Sequence, residues 1–189
     1  MVSVNTPADI KAKKYRRFFD GLDLDGSGKI SQNDFDLFGQ RYAKAKNLPT
    51  NDADVKRLTS LLCQFWVEVI QPCDRDGDGE VSFEEMLAGF KQSFTSPADY
   101  PSQIEPITVA FFKIADQNNN GTIEENEFID IFSSSLGASR SDIEKVFRGL
   151  DSDNSGALTR DEYDAALSEF FYGDDPNSLA AHLFGPLGS

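Results

Sequence analysis

The sequence predicts an all-α protein in which four helix–loop–helix units form two packed pairs within a compact globule. An acidic segment of twelve residues recurs four times, at 23–34, 74–85, 116–127 and 151–162, which indicates a repeat architecture. Apolar residues at helical spacing flank every copy. Hydrophobic residues make up 39% of the chain and aromatic residues 12%, so a substantial core can be buried.

The flanking positions predict a helix before and after each segment. Four positions before the segments stand Phe19, Ile70, Phe112 and Phe147, and just after them stand Phe35, Met86, Phe128 and Tyr163. The period of 3.6 residues places these side chains on the inward faces of the helices. Between and after the segments we expect helices at about 35–46, 52–71, 104–115, 125–136, 140–150 and 160–171. Asp52 or Asn51 is expected to cap the second of these.

The repeated positions within the segments predict a cation site in each. Every copy has Asp first, Asp or Asn third, Asp, Asn or Ser fifth, Gly sixth, an aliphatic residue eighth and an acidic residue twelfth. Ca²⁺ takes about six to eight oxygen ligands at roughly 2.3–2.6 Å, and alternate positions of a tightly coiled loop can supply them. The seventh residue contributes its backbone carbonyl, so its side chain is free to vary. The predicted ligands are Asp23, Asp25, Ser27, Lys29 and Asp34; Asp74, Asp76, Asp78, Glu80 and Glu85; Asp116, Asn118, Asn120, Thr122, Glu124 and Glu127; and Asp151, Asp153, Ser155, Ala157 and Glu162.

Two further positions are expected to shape the loops without contacting metal. The sixth residue must turn the chain with a positive φ, which glycine does without a Cβ clash; these residues are Gly28, Gly79, Gly121 and Gly156. The aliphatic side chains at the eighth position should face each other across a short antiparallel β-bridge within each pair of loops. They are Ile30, Val81, Ile123 and Leu158.

With these features the four segments resemble EF-hands, and the resemblance covers most of the chain. Successive loops start 51, 42 and 35 residues apart, and the long first interval is similar to that of sarcoplasmic calcium-binding proteins and calerythrin. The resemblance implies binding of up to four Ca²⁺ ions. Coelenterazine-binding proteins and photoproteins share a similar plan of four hands around a central cavity.

The chain is expected to divide between the two pairs of loops. Residues 1–96 carry the first pair and residues 97–189 the second, and a connection with three prolines at 93–106 is expected to be packed. The ending is also similar to that of the sarcoplasmic type. Leaving Leu183, Phe184 and Leu187 in water costs ~25 cal/mol per Å² of apolar surface, so we expect this tail to pack back on the core. The alternative is that the final GPLGS is partly a cloning remnant.

The four loops are predicted to differ in ion preference. The second carries the most carboxylates and should bind Ca²⁺ most strongly. The first closes with Asp34, whose shorter side chain favours one-oxygen coordination and six-coordinate Mg²⁺, and Lys29 adds a positive charge there. We therefore expect a mixed Ca²⁺/Mg²⁺ site in the first loop, with an ion-free loop as the alternative. In the third loop Asn118 and Asn120 replace carboxylates, and Glu124 is expected to ligate directly or through water.

Charge and hydropathy exclude several kinds of partner. The net charge of -14 repels phosphate, which argues against nucleic acid and anionic membranes. No segment approaches the ~20 apolar residues of a membrane span, and the N-terminal residues lack the apolar run of a signal peptide. We expect a cytoplasmic monomer whose partner is calcium; a protein partner is left open.

Three function classes remain, and an enzyme is not expected because one histidine, His182, cannot supply a nucleophile with its base. Sensors open Met-rich grooves, whereas Met86 is the single methionine here besides the initiator, which favours a calcium buffer. A sensor that binds a partner and a carrier of a coelenterazine-type ligand are the alternatives. With Trp66 and His182 the single residues of their types, light emission is not expected. Cys63 and Cys73 lack CxxC spacing and are expected to be reduced structural thiols.

Overall fold

The structure, a computed structural model, describes residues 7–94, 105–136 and 139–184. The N-terminal half, residues 7–94, contains α1 (Pro7–Leu22), β1 (Lys29–Ile30), α2 (Gln32–Ala45), α3 (Ala53–Phe65), β2 (Val81–Ser82) and α4 (Phe83–Ser93). The C-terminal half, residues 105–184, contains α5 (Glu105–Ala115), β3 (Ile123–Glu124), α6 (Glu125–Leu136), α7 (Arg140–Leu150), β4 (Ala157–Leu158), α8 (Arg160–Tyr172) and a 3₁₀ turn (Leu179–His182). The predicted all-α fold is confirmed.

Two short antiparallel bridges join the loops in pairs. In the first, β1 pairs with β2 so that Ile30 lies opposite Val81. In the second, β3 pairs with β4 so that Ile123 lies opposite Leu158. All four side chains are fully buried, so the eighth positions join the loops as the sequence predicts.

The helix predicted at about 52–71 is wrong in its last third. It begins as expected, because the Asp52 side chain caps α3 by accepting a hydrogen bond from the Asp54 N–H at 2.9 Å. It stops being α-helical at Phe65 and continues as a π-helical turn (Trp66–Ile70) and a 3₁₀ turn (Gln71–Cys73). Pro72 is the cause, because its nitrogen cannot donate to the preceding turn and its ring excludes the carbonyl four residues back.

Other helix boundaries differ by a few residues from the prediction. The helix expected from about residue 35 begins at Gln32, because the Ser31 side chain caps it and Asp34 completes a reciprocal capping box. The helices expected at 125–136 and 140–150 coincide with α6 and α7. Part of the predicted connection, including Tyr100, lies outside the described residues.

An aromatic core joins the two halves. The Phe18 ring in α1 contacts Phe90 of its own half, and Phe111 and Phe170 of the other half, at centroid distances of 6.0–6.3 Å. Phe184, which follows the 3₁₀ turn, lies 4.8 Å from the Phe18 ring. The eight residues that flank the loops are also buried: Phe19, Ile70, Phe112, Phe147, Phe35, Met86, Phe128 and Tyr163.

The C-terminal tail lies on this core as far as it is described. Leu183 and Phe184 are buried, and Leu187 lies outside the described residues.

The two cysteines are free; Cys73 is buried, and Cys63 Sγ accepts a hydrogen bond from the Gln32 side chain. Burial raises the pKa of the Cys73 thiol to about 11. Within the described part of the chain, no helix combines the length and apolar character needed to cross a bilayer.

A buried lysine ties the first helix to the last. Lys14 in α1 is fully buried, and its Nζ donates to the carbonyls of Glu169 at 3.0 Å and Gly173 at 2.7 Å. The neighbouring Tyr15 hydroxyl donates to the Phe171 carbonyl at 2.9 Å. These carbonyls lie at the C-terminal end of α8, where Glu169 also accepts the capping N–H of Gly173 at 2.9 Å. The ammonium therefore lies at the negative end of the helix dipole. Burial lowers the pKa of Lys14 to about 8.

This lysine predicts a pH dependence of stability. Between pH 8 and its ordinary pKa of 10.5, Lys14 is protonated in the unfolded chain and neutral in the folded one. The unfolded state then binds more protons, so the free energy of unfolding rises with pH across that interval. We expect wild type to gain about 1–2 kcal/mol over Lys14→Met between about pH 7 and about pH 9.5, measured by urea unfolding.

The matched control is Lys56→Met, which removes an exposed lysine of α3. Its unfolding free energy should follow that of wild type across the same pH range. If Lys14→Met also runs parallel to wild type, Lys14 does not titrate in this interval.

Candidate metal centres

The aspartate at the first position coils each loop. In the first loop, Asp23 accepts hydrogen bonds from the N–H groups of Ser27 at 2.9 Å and Gly28 at 2.8 Å. In the third loop, Asp116 accepts from the N–H groups of Asn120 and Gly121, each at 3.1 Å. In the fourth loop the N–H groups of Ser155 and Gly156 donate to Asp151 in the same way, and in the second loop those of Gly77, at the fourth position, and Gly79 donate to Asp74. The loop therefore folds back over its own first carboxylate.

Two positions in each loop adopt left-handed backbone conformations. The predicted sixth-position glycines have φ between 85° and 87°. The fourth position is also left-handed, with φ of 73°, 76°, 57° and 56° at Gly26, Gly77, Asn119 and Asn154. This second left-handed position was not predicted, although each copy has Gly or Asn there, the residues that adopt this conformation most readily.

The acid at the twelfth position links the two ends of each loop. In the third loop, Glu127 accepts from the N–H of Gln117 through one carboxylate oxygen and from the N–H of Glu124 through the other, each at 3.0 Å. The other loops repeat this link between the second and ninth residues: Leu24 and Ser31 to Asp34, Arg75 and Ser82 to Glu85, and Ser152 and Thr159 to Glu162. The backbone N–H of Thr159 and the hydroxyl of Ser152 lower the pKa of Glu162 to about 2.

Oxygen atoms converge within the loops. Carboxylate oxygens lie within 4.8 Å of one another in three clusters: Asp23, Asp25 and Asp34; Asp74, Asp76 and Asp78; and Asp151, Asp153 and Glu162. In the third loop the amides of Asn118 and Asn120 take the third and fifth positions, and their Oδ1 atoms accept backbone N–H groups at 2.9 Å. Crowded hard oxygen donors fit Ca²⁺ or Mg²⁺ and do not fit soft metals.

The fifth and seventh positions occupy the same side of the loops. Ser27 Oγ donates to the Lys29 carbonyl at 3.0 Å, and Ser155 Oγ donates to the Ala157 carbonyl at 2.9 Å. In the remaining loops the N–H groups of Glu80 and Thr122 donate to the side chains of Asp78 and Asn120, each at 2.9 Å. Two predicted ligands, one side chain and one carbonyl, are thus adjacent in the first and fourth loops.

The side chain of Lys29 lies elsewhere than expected. The Lys29 ammonium does not remain over its own loop: it pairs with Asp78 at 2.6 Å and Glu80 at 2.9 Å in the second loop. The antiparallel bridge explains this, because it places Lys29 opposite Ser82 at the edge of that loop. Glu124 Oε1 accepts a hydrogen bond from the Asn120 amide at 3.1 Å, which keeps it beside the fifth position.

The sequence profile of the EF-hand domain pair matches residues 12–91 and 104–168. This chain belongs to the EF-hand family. The clustered loop oxygens and the family together show a calcium-binding EF-hand protein.

Its relatives include several calcium-binding proteins. Sarcoplasmic calcium-binding protein 1 of Astacus leptodactylus is 24% identical over 87% of this chain and 90% of that protein. Obelin of Obelia longissima is 30% identical over 88% and 86%, and calerythrin of Saccharopolyspora erythraea is 23% identical over 87% and 93%. The predicted resemblance to the sarcoplasmic type and calerythrin is confirmed.

A solved structure shows the same fold. The calcium-loaded apo form of the coelenterazine-binding protein from Renilla muelleri has a TM-score of 0.81 at 19% identity, over 97% of this chain and 99% of that one. At this identity the likeness concerns the fold of the EF-hand protein and not its ligands.

The position of Lys29 predicts a competition with the ion. Its ammonium contacts the Asp78 carboxylate, a predicted ligand, and therefore competes with an ion for that group. Exposed ion pairs are weak, so we expect Lys29→Gln to raise the calcium affinity of the second loop by roughly two- to fivefold in calorimetric titration.

The matched control is Lys145→Gln, which removes an exposed lysine that pairs with Asp142, away from the loops. It should change calcium affinity by less than the Lys29 variant does. Equal effects in the two variants would mean that net charge, and not the contact with Asp78, sets the affinity.

Proposed function

We propose that this EF-hand protein is a calcium buffer of the sarcoplasmic calcium-binding protein type, with up to four ions bound by the predicted loop residues. The observation that carries the proposal is that the inner faces of the helices pack against each other across the two halves. Phe18 of α1 packs on Phe170 and Phe171 of α8 at 6.3 and 6.0 Å, so the halves bury each other's apolar surface. A monomer is part of this proposal, since these faces are already covered; a cytoplasmic location stays a prediction.

A sensor function is less well supported by the same core. Sensor EF-hands use ion binding to open an apolar groove for a target helix. Here such a groove would require Phe18 and Phe90 to separate from Phe171. It would also require Lys14 and Tyr15 to leave the end of α8. Among the described residues, the large apolar side chains that are exposed are Val67 and Leu179, and neither belongs to this contact.

A carrier of a hydrophobic ligand is the second candidate, favoured by the fold shared with the coelenterazine-binding protein. The tail argues against it. The Phe184 ring lies 4.8 Å from the rings of Phe18 and Phe170, and 5.8–5.9 Å from those of Phe111 and Phe132. Side chains from both halves therefore surround the tail ring, and it fills space that a ligand between the halves would need.

Charge favours binding several ions at once. Four Ca²⁺ ions carry eight positive charges, which would change the net charge from -14 to -6. Ions that bind the folded chain in this way also stabilise it, because they relieve repulsion among the carboxylates. A buffer gains capacity from this arrangement without any change in exposed surface.

The first loop is proposed as the mixed Ca²⁺/Mg²⁺ site. Asp34 is 1% exposed, and its Oδ1 accepts from the N–H groups of Leu24 at 2.8 Å and Asp25 at 3.2 Å. The loop thus closes on a shorter carboxylate than Glu provides. A smaller ring of oxygens suits Mg²⁺, whose ligands lie at about 2.0–2.1 Å in octahedral geometry.

Dye binding tests buffer against sensor. We expect the fluorescence of a hydrophobic dye with wild type to stay unchanged when excess calcium replaces chelator, because the apolar faces remain covered. Phe184→Ala opens the core at a cost of about 3–5 kcal/mol and should raise dye binding with and without calcium; Val67→Ala, at an exposed site, should not.

Two other results would change the assignment. A calcium-dependent rise of dye fluorescence in wild type would favour a sensor, and tight binding of coelenterazine by wild type would favour a carrier. Calorimetry in parallel counts the ions, and no uptake of calcium would contradict the proposal as a whole.

Ion competition tests the first loop. In wild type, millimolar Mg²⁺ should displace Ca²⁺ from one site, and Asp34→Glu should remove that competition, because the longer carboxylate can bind Ca²⁺ through both oxygens. The reciprocal variant, Glu85→Asp, should create a second competing site in the second loop. If Asp34→Glu leaves the Mg²⁺ competition intact, the length of this carboxylate does not set the preference.

A further inference from the structure

One side chain of the N-terminal half reaches the start of the third loop. Arg57 of α3 donates through Nη1 to the Lys113 carbonyl at 3.0 Å and to Asn119 Oδ1 at 3.2 Å. Its Nη2 donates to the carbonyls of Asp116 at 3.0 Å and Gln117 at 3.3 Å. One guanidinium therefore contacts the last turn of α5 and the first positions of the loop, a set of acceptors that suits its planar fork.

The same peptide groups contact the closing carboxylate on their other edge. The N–H groups of Gln117 and Asn118 both donate to Glu127 Oε1 at 3.0 Å. The Asp116 carbonyl and the Gln117 N–H belong to one peptide group, and the Gln117 carbonyl and the Asn118 N–H belong to the next. Two consecutive peptide groups thus lie between Arg57 and Glu127. Hydrogen bonds arranged in series polarise one another, so the guanidinium strengthens the donors that orient Glu127.

Further contacts from the N-terminal half support the third loop. The hydroxyl of Tyr42, in α2, donates to Gln117 Oε1 at 2.8 Å. Lys46, just after α2, pairs with Asp130 of α6, the helix that leaves the loop. Both ends of the third loop are therefore attached to the opposite half of the molecule.

The first loop has the same local chemistry without the link between halves. Arg41 Nη2 donates to the Leu24 carbonyl at 2.8 Å, and the Asp25 N–H of the same peptide group donates to Asp34 Oδ1 at 3.2 Å. Arg41 belongs to α2, which leaves that same loop. It therefore offers a matched control, since this arginine donates to a loop peptide from a helix of the same half.

We propose that Arg57 is a positioning residue that orients Glu127 in the third loop and couples ion binding there to the order of α3 in the other half. This inference rests on the proposed function, because it takes the third loop as an ion site. An ion that engages Glu127 acts on the two shared peptide groups, and through Arg57 on α3. Linkage is reciprocal, so an ordered α3 raises the affinity of the third loop by the same factor.

A purely electrostatic effect of Arg57 would have the opposite sign. Arg57→Met changes the net charge from -14 to -15, and loss of repulsion alone would raise calcium affinity. Positioning predicts instead a loss of about five- to tenfold at the third loop. Arg57→Lys keeps the charge without the fork, and we expect it to lose most of that affinity as well; it also replaces Arg57→Met if that variant does not fold.

Site-resolved NMR measures this affinity. The Gly121 amide donates to Asp116 at 3.1 Å and reports on the third loop, while the Gly28 amide donates to Asp23 at 2.8 Å and reports on the first. Both Arg57 variants should weaken calcium binding followed at Gly121 and leave binding followed at Gly28 unchanged. Arg41→Met should do the reverse. An Arg57→Met variant that binds calcium at Gly121 as tightly as wild type would overturn the inference.

Amide hydrogen exchange tests the coupling itself. In calcium, Glu127→Gln should accelerate exchange in α3 by about fivefold in the wild-type background and should have no effect on α3 in the Arg57→Met background. Calorimetry of Glu127→Gln distinguishes failure of the proposed ion site from failure of the coupling alone. An unchanged ion count means that the third loop is not an ion site, so the proposed assignment fails and the coupling with it. One ion fewer with unchanged exchange in α3 overturns the coupling alone.

Discussion

Backbone N–H groups that bind a carboxylate at both ends of every loop are the interaction on which the rest of the structure depends. At the first position Asp23 accepts from two N–H groups, and at the twelfth position Asp34 links the second and ninth residues. Each bond offsets part of the repulsion between acidic side chains brought together. Enough repulsion remains that oxygens within 4.8 Å of one another attract a divalent cation.

This arrangement also determines how the helices can respond. Asp34 lies in the first turn of α2, and its side chain accepts hydrogen bonds from the loop backbone. The loop and its outgoing helix are therefore joined independently of an ion. In a sensor, the outgoing helix must move relative to the ingoing one when the ion engages this residue. Here Phe35, next along α2, is buried against Phe65 and Trp66, so such a movement would disrupt the core.

The parts that the sequence predicted are those set by local rules. Loop positions follow from the oxygen shell of a cation, and the buried faces at Phe19 and Phe112 follow from helical periodicity. The fourth-position turns were equally local and were missed because one Gly per loop already explained a tight turn. The end of α3 depends on Pro72 within a strongly periodic segment, where the periodicity argues for a continued helix.

Contacts between the two halves could not be predicted from such local rules. Lys14 and Glu169 are separated by 155 positions along the chain. No periodic pattern indicates that a lysine in α1 will donate to the carbonyls at the C-terminal end of α8. Its sequence context, KAKKYRRFF, is that of a solvated basic face. Burial of one of these lysines depends on where α8 ends, which is a property of the assembled fold.

Two cations that act on the loops illustrate why the sign of a charge does not predict its effect. Lys29 contacts the carboxylate of Asp78, a predicted ligand, so it competes with an ion for that group. Arg57 contacts the carbonyl edge of peptide groups whose N–H edge binds the predicted ligand Glu127. The first cation competes with the ion, whereas the second improves the geometry of the oxygen that binds it. The difference lies in which end of the hydrogen-bonded chain the cation occupies, and this depends on the bridge register at Lys29 and on the packing of α3 at Arg57.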